Sequence, residues 1–88
     1  MNIKPTIVNR KIIEPGTRVS IIKASAASMC LYQKLKMQGV PALHCPCSLG
    51  TRTALIVVKQ IDKGYLLKTE GNTTIRTAAV SGDLRVIN

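Results

Sequence analysis

Polar and apolar residues alternate most clearly over residues 18–23, where Val19 and Ile21 share one face and Arg18 and Ser20 the other. A period of two is that of a half-buried strand, and Glu14-Pro15-Gly16-Thr17 ahead of it reads as a turn. The period then lengthens. Leu31, Tyr32 and Leu35 form an i, i+1, i+4 stripe, Ser25 or Ser28 can cap a helix start, and Gly39 stands where a left-handed C-terminal cap is wanted. Together they predict one helix. Residues 40–50 carry no period, and Pro41 and Pro46 argue against regular pairing, so this stretch is expected to be a loop.

Strand-like patterning resumes over residues 51–61. Asp62-Lys63-Gly64 reads as a turn, and Tyr65-Leu66-Leu67-Lys68-Thr69 as the returning strand of a hairpin. Gly71-Asn72 supplies another tight turn. A short strand over 73–76, a small-residue link through Ala79 and Gly82, and a closing strand over 84–87 complete the pattern. Residues 1–12, with Pro5, read as an extended N-terminal arm, and 13–88 as a single domain. Five short, largely antiparallel strands solve their edge problem most simply by curling into a small barrel, here with a helix after the first strand.

Composition narrows the function. The chain has 88 residues and 45% apolar content, drawn from Ile, Val, Leu and Ala, with no Phe or Trp and only Tyr32 and Tyr65 as aromatics. A domain of this size buries only about 60% of the surface its unfolded chain exposes, which leaves little room for a deep catalytic cleft. One His, four scattered carboxylates and no Gly-rich phosphate loop provide no nucleophile, base and orienting group at recognisable spacing. The expectation is a binding protein and not an enzyme.

Thirteen Lys and Arg against Glu14, Asp62, Glu70 and Asp83 give a formal charge of +9, which attracts polyanions. Lys34, Lys36 and Arg52 flank the irregular loop and form the candidate positive patch. Nucleic-acid binding fits that charge, although two tyrosines are few for a base-stacking platform. No apolar run approaches the roughly 20 residues that span a bilayer, and the first eleven residues lack the apolar segment of a signal peptide, so a cytoplasmic protein is expected.

Cys30, Cys45 and Cys47 are an odd set, and Cys45 and Cys47 read as too close for an unstrained mutual disulfide, so all three are expected to be thiols. His44-Cys45-Pro46-Cys47, with Cys30 from the helix, is the one cluster of metal-ligating type; thiolate and imidazole suit Zn²⁺, Fe²⁺ and Cu(I). The spacing departs from that of structural zinc sites, and adjacent His44 and Cys45 on an extended segment point opposite ways. Two other readings stand beside it: compact buried thiols in a Pro-bent loop, or a surface loop that docks on a partner or carries an oxidisable thiol.

Four segments carry a resemblance to a known family. They are Pro15-Gly16-Thr17-Arg18-Val19-Ser20-Ile21, Gln33-Lys34-Leu35-Lys36-Met37-Gln38-Gly39-Val40, Gly50-Thr51, and Gly71-Asn72-Thr73-Thr74-Ile75-Arg76 followed by Leu84-Arg85-Val86. In these the chain resembles, over residues 13–87, the FeoA family of small SH3-like barrels associated with bacterial ferrous iron uptake through the membrane transporter FeoB. It departs from that family where residues 41–48 are inserted in place of a short Pro-Gly link, and where Leu49 replaces the usual Pro before Gly50. The resemblance implies a mainly β, SH3-like barrel of about five antiparallel strands with one or two short helices after the first strand. It further implies an adaptor that docks on the cytoplasmic region of a FeoB-like transporter and modulates it. The docking face would be residues 29–48, with Lys34, Lys36, Val40 and Arg52 as partner-binding residues. No cofactor is required on this reading, and Fe²⁺ or Zn²⁺ at His44, Cys45, Cys47 and Cys30 is the metal option. A basic nucleic-acid-binding barrel is the alternative function, and self-association is left open.

Overall fold

The alternation near the head of the chain becomes β1, Arg18–Ile21, with Val19 and Ile21 buried as expected and Ser20 buried as well. The structure, a computed structural model, describes residues 12–72 and 74–87; the expected arm lies outside the described residues except for Ile12. After β1 the chain turns into α1, Ala26–Met37. Ser25 is its N-cap and accepts a hydrogen bond from the Ser28 amide. At the other end Gly39 takes φ +84, and the amides of Gly39 and Val40 donate to the carbonyls of Lys36 and Leu35, at 3.1 and 3.3 Å. That is a Schellman closure, and the left-handed residue in it favours glycine.

Two strands then form the predicted hairpin, β2 at Leu55–Ile61 and β3 at Gly64–Thr69. Two residues join them, and Asp62 takes the positive φ of 45 that tight hairpin loops demand. Gly64, expected in the turn, is the first residue of β3 and is buried. β2 also starts later than its sequence pattern implies. Residues 51–54 remain outside the strand, and the Thr53 amide bonds back to the Gly50 carbonyl at 3.0 Å.

β4 is Arg76–Val80 and β5 is Leu84–Val86, joined through a 3-10 turn at Ser81–Asp83. This corrects the expectation of a strand over 73–76 followed by a link through Ala79: the small residues are the strand. Ala78 and Ala79 are both fully buried, Ala79 in the core on one face of the sheet and Ala78 under α1, where its size lets the helix lie close over β4. Alanine is a weak strand former in isolation, but strand preference is mostly packing, and here packing decides.

The five strands make one antiparallel sheet in the order β4-β3-β2-β1-β5. The fold is therefore mainly β with one helix after the first strand, as expected. The sheet is open, since β4 and β5 are consecutive in the chain but lie at its opposite edges. A register shift between Val57 and Lys59 bends β2, the usual device by which a small sheet coils.

Period-two strands give the sheet two apolar faces. Val19, Ile21, Leu55, Val57, Tyr65, Leu67 and Ala79 pack together on one side. On the other, Leu66 and Ala78 meet Leu31 and Leu35 of α1, with Val40, Leu43, Val58 and Ile61 around them. Leu35 and Val40 thus fix the helix against the sheet. The Tyr65 hydroxyl, which a buried tyrosine has to satisfy, accepts from the Ile13 amide at 3.0 Å and secures the start of the described chain.

Candidate functional site

The irregular loop between α1 and β2 lies along the outer edge of β4. Leu43 forms a single parallel bridge with Arg76. The Arg76 amide donates to the Ala42 carbonyl at 3.0 Å, and the His44 amide donates to the Arg76 carbonyl at 2.7 Å. The two prolines do not prevent this, because the bonded groups belong to the residues between them. A sheet edge that would otherwise present unpaired amides is covered in this way.

Past the bridge the chain makes a 3-10 turn at Pro46–Ser48, and Pro46 is buried. The Ser48 amide and hydroxyl both donate to the Cys45 carbonyl, at 2.9 and 2.7 Å. This turn overturns the expectation of three thiols. It brings the Cα atoms of Cys45 and Cys47 to 5.3 Å, within the range that a disulfide spans, and the two residues are paired in one. A two-residue separation forbids such a bond only for an extended chain.

The four expected metal ligands are not brought together. Cys30 is a free thiol on the exposed side of α1, His44 is exposed, and Cys45 and Cys47 are bonded to each other. Among the described residues no group of three or more His, Cys, Asp and Glu side chains is placed to hold an ion. As paired, these residues do not fit a Zn²⁺ or Fe²⁺ centre, because Cys45 and Cys47 could ligate only as thiolates and His44 and Cys30 alone are too few. The helix sulfur that faces the loop is Met29, whose Sδ lies 3.6 Å from Cys45 Sγ. Met29 and Cys30 are about 100° apart around the helix, so only one of them can face the loop. The buried stripe of Ser28, Leu31 and Leu35, prolonged toward Tyr32, was the signal available in the sequence for choosing Met29.

The candidate basic residues occupy different settings. Lys34 Nζ is 2.7 Å from Asp62 Oδ2, tying α1 to the β2–β3 turn. That hydrogen bond, with the attraction of opposite charges, holds Lys34 above the usual ammonium range and Asp62 below the usual carboxylate range. Lys36 Nζ stands 5.8 Å from the Tyr32 ring centroid, at the reach of a cation–π contact. Val40 is half-buried in the helix–sheet core, and Arg52 is exposed beyond the loop. Arg18 makes a two-pronged pair with Glu70 at 2.9 and 3.1 Å.

One buried ionisable group escaped the sequence reading. Asp83, 2% exposed, ends the 3-10 turn before β5 and takes three hydrogen bonds on Oδ2. These come from the Ser25 amide at 2.8 Å, the Ser25 hydroxyl at 2.6 Å and the Ser28 hydroxyl at 2.6 Å. Burial pushes the carboxyl up, but the bonds from Ser25 and Ser28, with Lys23 nearby, outweigh it and hold Asp83 below the ordinary carboxylate range. The Ser28 hydroxyl also accepts from the Val80 amide at 2.9 Å, so one cluster joins the helix start to both ends of the β4–β5 turn. It is a structural anchor: Asp83 Oδ2 and both serine hydroxyls are already engaged within it.

Along the outside of α1, Cys30, Gln33, Lys34, Met37 and Gln38 line a shallow apolar groove, and Met37 is 86% exposed. Among the described residues no helix is long and apolar enough to cross a membrane. Comparison of the chain with known protein families, with characterised proteins and with solved structures finds no match.

Proposed function

We propose that the chain is a small cytoplasmic adaptor of FeoA type that docks on the cytoplasmic region of a FeoB-like ferrous iron transporter and modulates it, with no catalytic step of its own. The observation that carries this reading is the outer face of α1. A methionine lying in the open beside Lys36, at the rim of an apolar groove, offers a partner both contact area and charge. The groove lies on the helix that follows β1, within the segment that the resemblance assigns to docking. Iron on this reading is the transporter's cargo, and the adaptor needs no metal to make the contact.

Lys34 and Lys36 divide the work unequally. Lys34 is already engaged by Asp62, so Lys36 and Arg52 carry the freer charge toward an acidic partner surface. Replacing Lys34→Glu together with Lys36→Glu should weaken binding to the purified transporter region at least about tenfold, by setting like charges face to face. Calorimetric titration reads the affinity, and an unchanged circular dichroism spectrum shows that the fold persists. Unchanged affinity would discard this face. A wild-type protein that ignores the transporter region but holds nucleic acid, with affinity falling steeply as salt rises, would instead favour the polyanion reading that the +9 charge supports.

A further inference from the structure

The sulfur atoms beside the start of α1 form a different group from the one the sequence singled out. Met29 Sδ lies 3.6 Å from Cys45 Sγ, and Cys45 is joined to Cys47 through the turn at Pro46–Ser48. We propose that the reduced protein binds one soft monovalent cation, of the Cu(I) class, between the thiolates of Cys45 and Cys47 and the thioether of Met29. The inference stands apart from the adaptor reading.

The turn that would present these sulfurs does not depend on the disulfide. Pro46 is buried, the Ser48 amide and hydroxyl hold the Cys45 carbonyl, and the Leu49 amide donates to the Pro46 carbonyl at 3.3 Å. With the bond broken, the two Cα atoms therefore remain near their present 5.3 Å, and both thiols stay within reach of one ion. Three sulfurs at about 2.3 Å from one ion in a trigonal plane stand about 4 Å from one another. The Met29–Cys45 contact at 3.6 Å is close to that spacing. Met29 and Cys45 are half-buried while Cys47 is exposed, so the group has a packed side and an open side for entry.

Donor chemistry selects the ion. Two thiolates and a thioether suit Cu(I), which accepts low coordination by soft sulfur. Zn²⁺ wants four ligands, with nitrogen or thiolate in the remaining places, and the only His follows Leu43 out into solvent. Loading is balanced by a dithiol reductant. It passes two electrons and two protons to the Cys45–Cys47 bond, which opens to two thiols while the reductant closes its own disulfide. Cu(I) then displaces the two thiol protons with no change in its oxidation state.

The test is anaerobic titration of the dithiol-reduced, desalted protein with Cu(I) against a chromophoric Cu(I) chelator, with X-ray absorption on the loaded sample. Expected are a single equivalent bound and a shell of sulfur alone. Cys45→Ser with Cys47→Ser should abolish binding. Met29→Leu, close in volume, should weaken it about tenfold or more, since a ligand matters at least as much as an outer-sphere partner does. Cys30→Ser and His44→Ala should leave it unchanged. The proposal is overturned if the wild type does not compete with the chelator, if nitrogen appears in the shell, if Met29→Leu binds like the wild type, or if Cys30→Ser loses the ion. The absorption spectrum of the wild type reads the donor set without any substitution, so a variant that fails to fold cannot rescue the idea.

Discussion

Gly64→Ala is expected to destabilise the protein by about 2–3 kcal/mol, although the same change in an ordinary strand gains a few tenths to one. Gly64 is buried where β3 begins, between the backbone of β4 and the underside of α1. A Cβ built there would stand 2.5 Å from Leu31 Cδ2 and 2.6 Å from the Ala79 carbonyl oxygen. The leucine can rotate away. The carbonyl cannot, because Ala79 is held opposite Tyr65 in the β3–β4 ladder. The melting temperature should fall by roughly 10–20 °C for a domain of this size. Adding Leu31→Ala should not restore it, whereas Gly71→Ala, with nothing within 4 Å of the new atom, should be close to neutral. A Gly64→Ala protein that melts with the wild type would mean that the backbones of β3 and β4 do not approach this closely at Gly64.

Removing the Asp83 carboxylate should be comparably damaging. Asp83→Ala strips three hydrogen bonds from the N-terminus of α1 and leaves Ser25 and Ser28 without their acceptor, for an expected loss of about 3 kcal/mol. That is a large part of the stability of a domain this small. The effect carries a pH signature. The folded-state pKa is lowered, so the stabilisation is fully present above the unfolded carboxylate value of about 3.9 and is lost as pH falls through the folded value. Urea titrations of wild type and Asp83→Ala should therefore show a constant gap near neutrality that closes in acid. A gap that ignores pH would assign the loss to packing and not to the charge.

These two positions mark the border of what the chain discloses locally. Ser25, Gly39 and the alternation through Val19 and Ile21 were legible, because caps, left-handed closures and strand faces are decided within a few residues. Gly64 was read as a turn glycine because Asp-Lys-Gly has turn chemistry; its actual constraint comes from Ala79 and Leu31, both distant in sequence. Ala78 and Ala79 looked like a linker for the same reason, since their smallness matters only in packing, Ala78 against α1 and Ala79 in the core on the other face. Asp83 entered only the count of four scattered acids, and nothing near it in the chain reveals Ser25 and Ser28 as partners. The sulfur cluster was half legible. Cys45 and Cys47 stood out, but pairing them needed the Pro46 turn, and choosing Met29 over Cys30 needed the helix phase.

The placement of β5 has a consequence for kinetics. β2, β3 and β4 follow one another as a meander, whereas β5 pairs only with β1, from the opposite end of the described chain. Closing that long separation is entropically late, so the meander is the part able to organise in the folding transition state while the β1–β5 ladder zips afterwards. In stopped-flow measurements Leu67→Ala should chiefly slow folding and Leu84→Ala chiefly hasten unfolding. The lifetime of the native molecule is then governed by its three-residue terminal strand, and the speed of its birth by the hairpin at its centre.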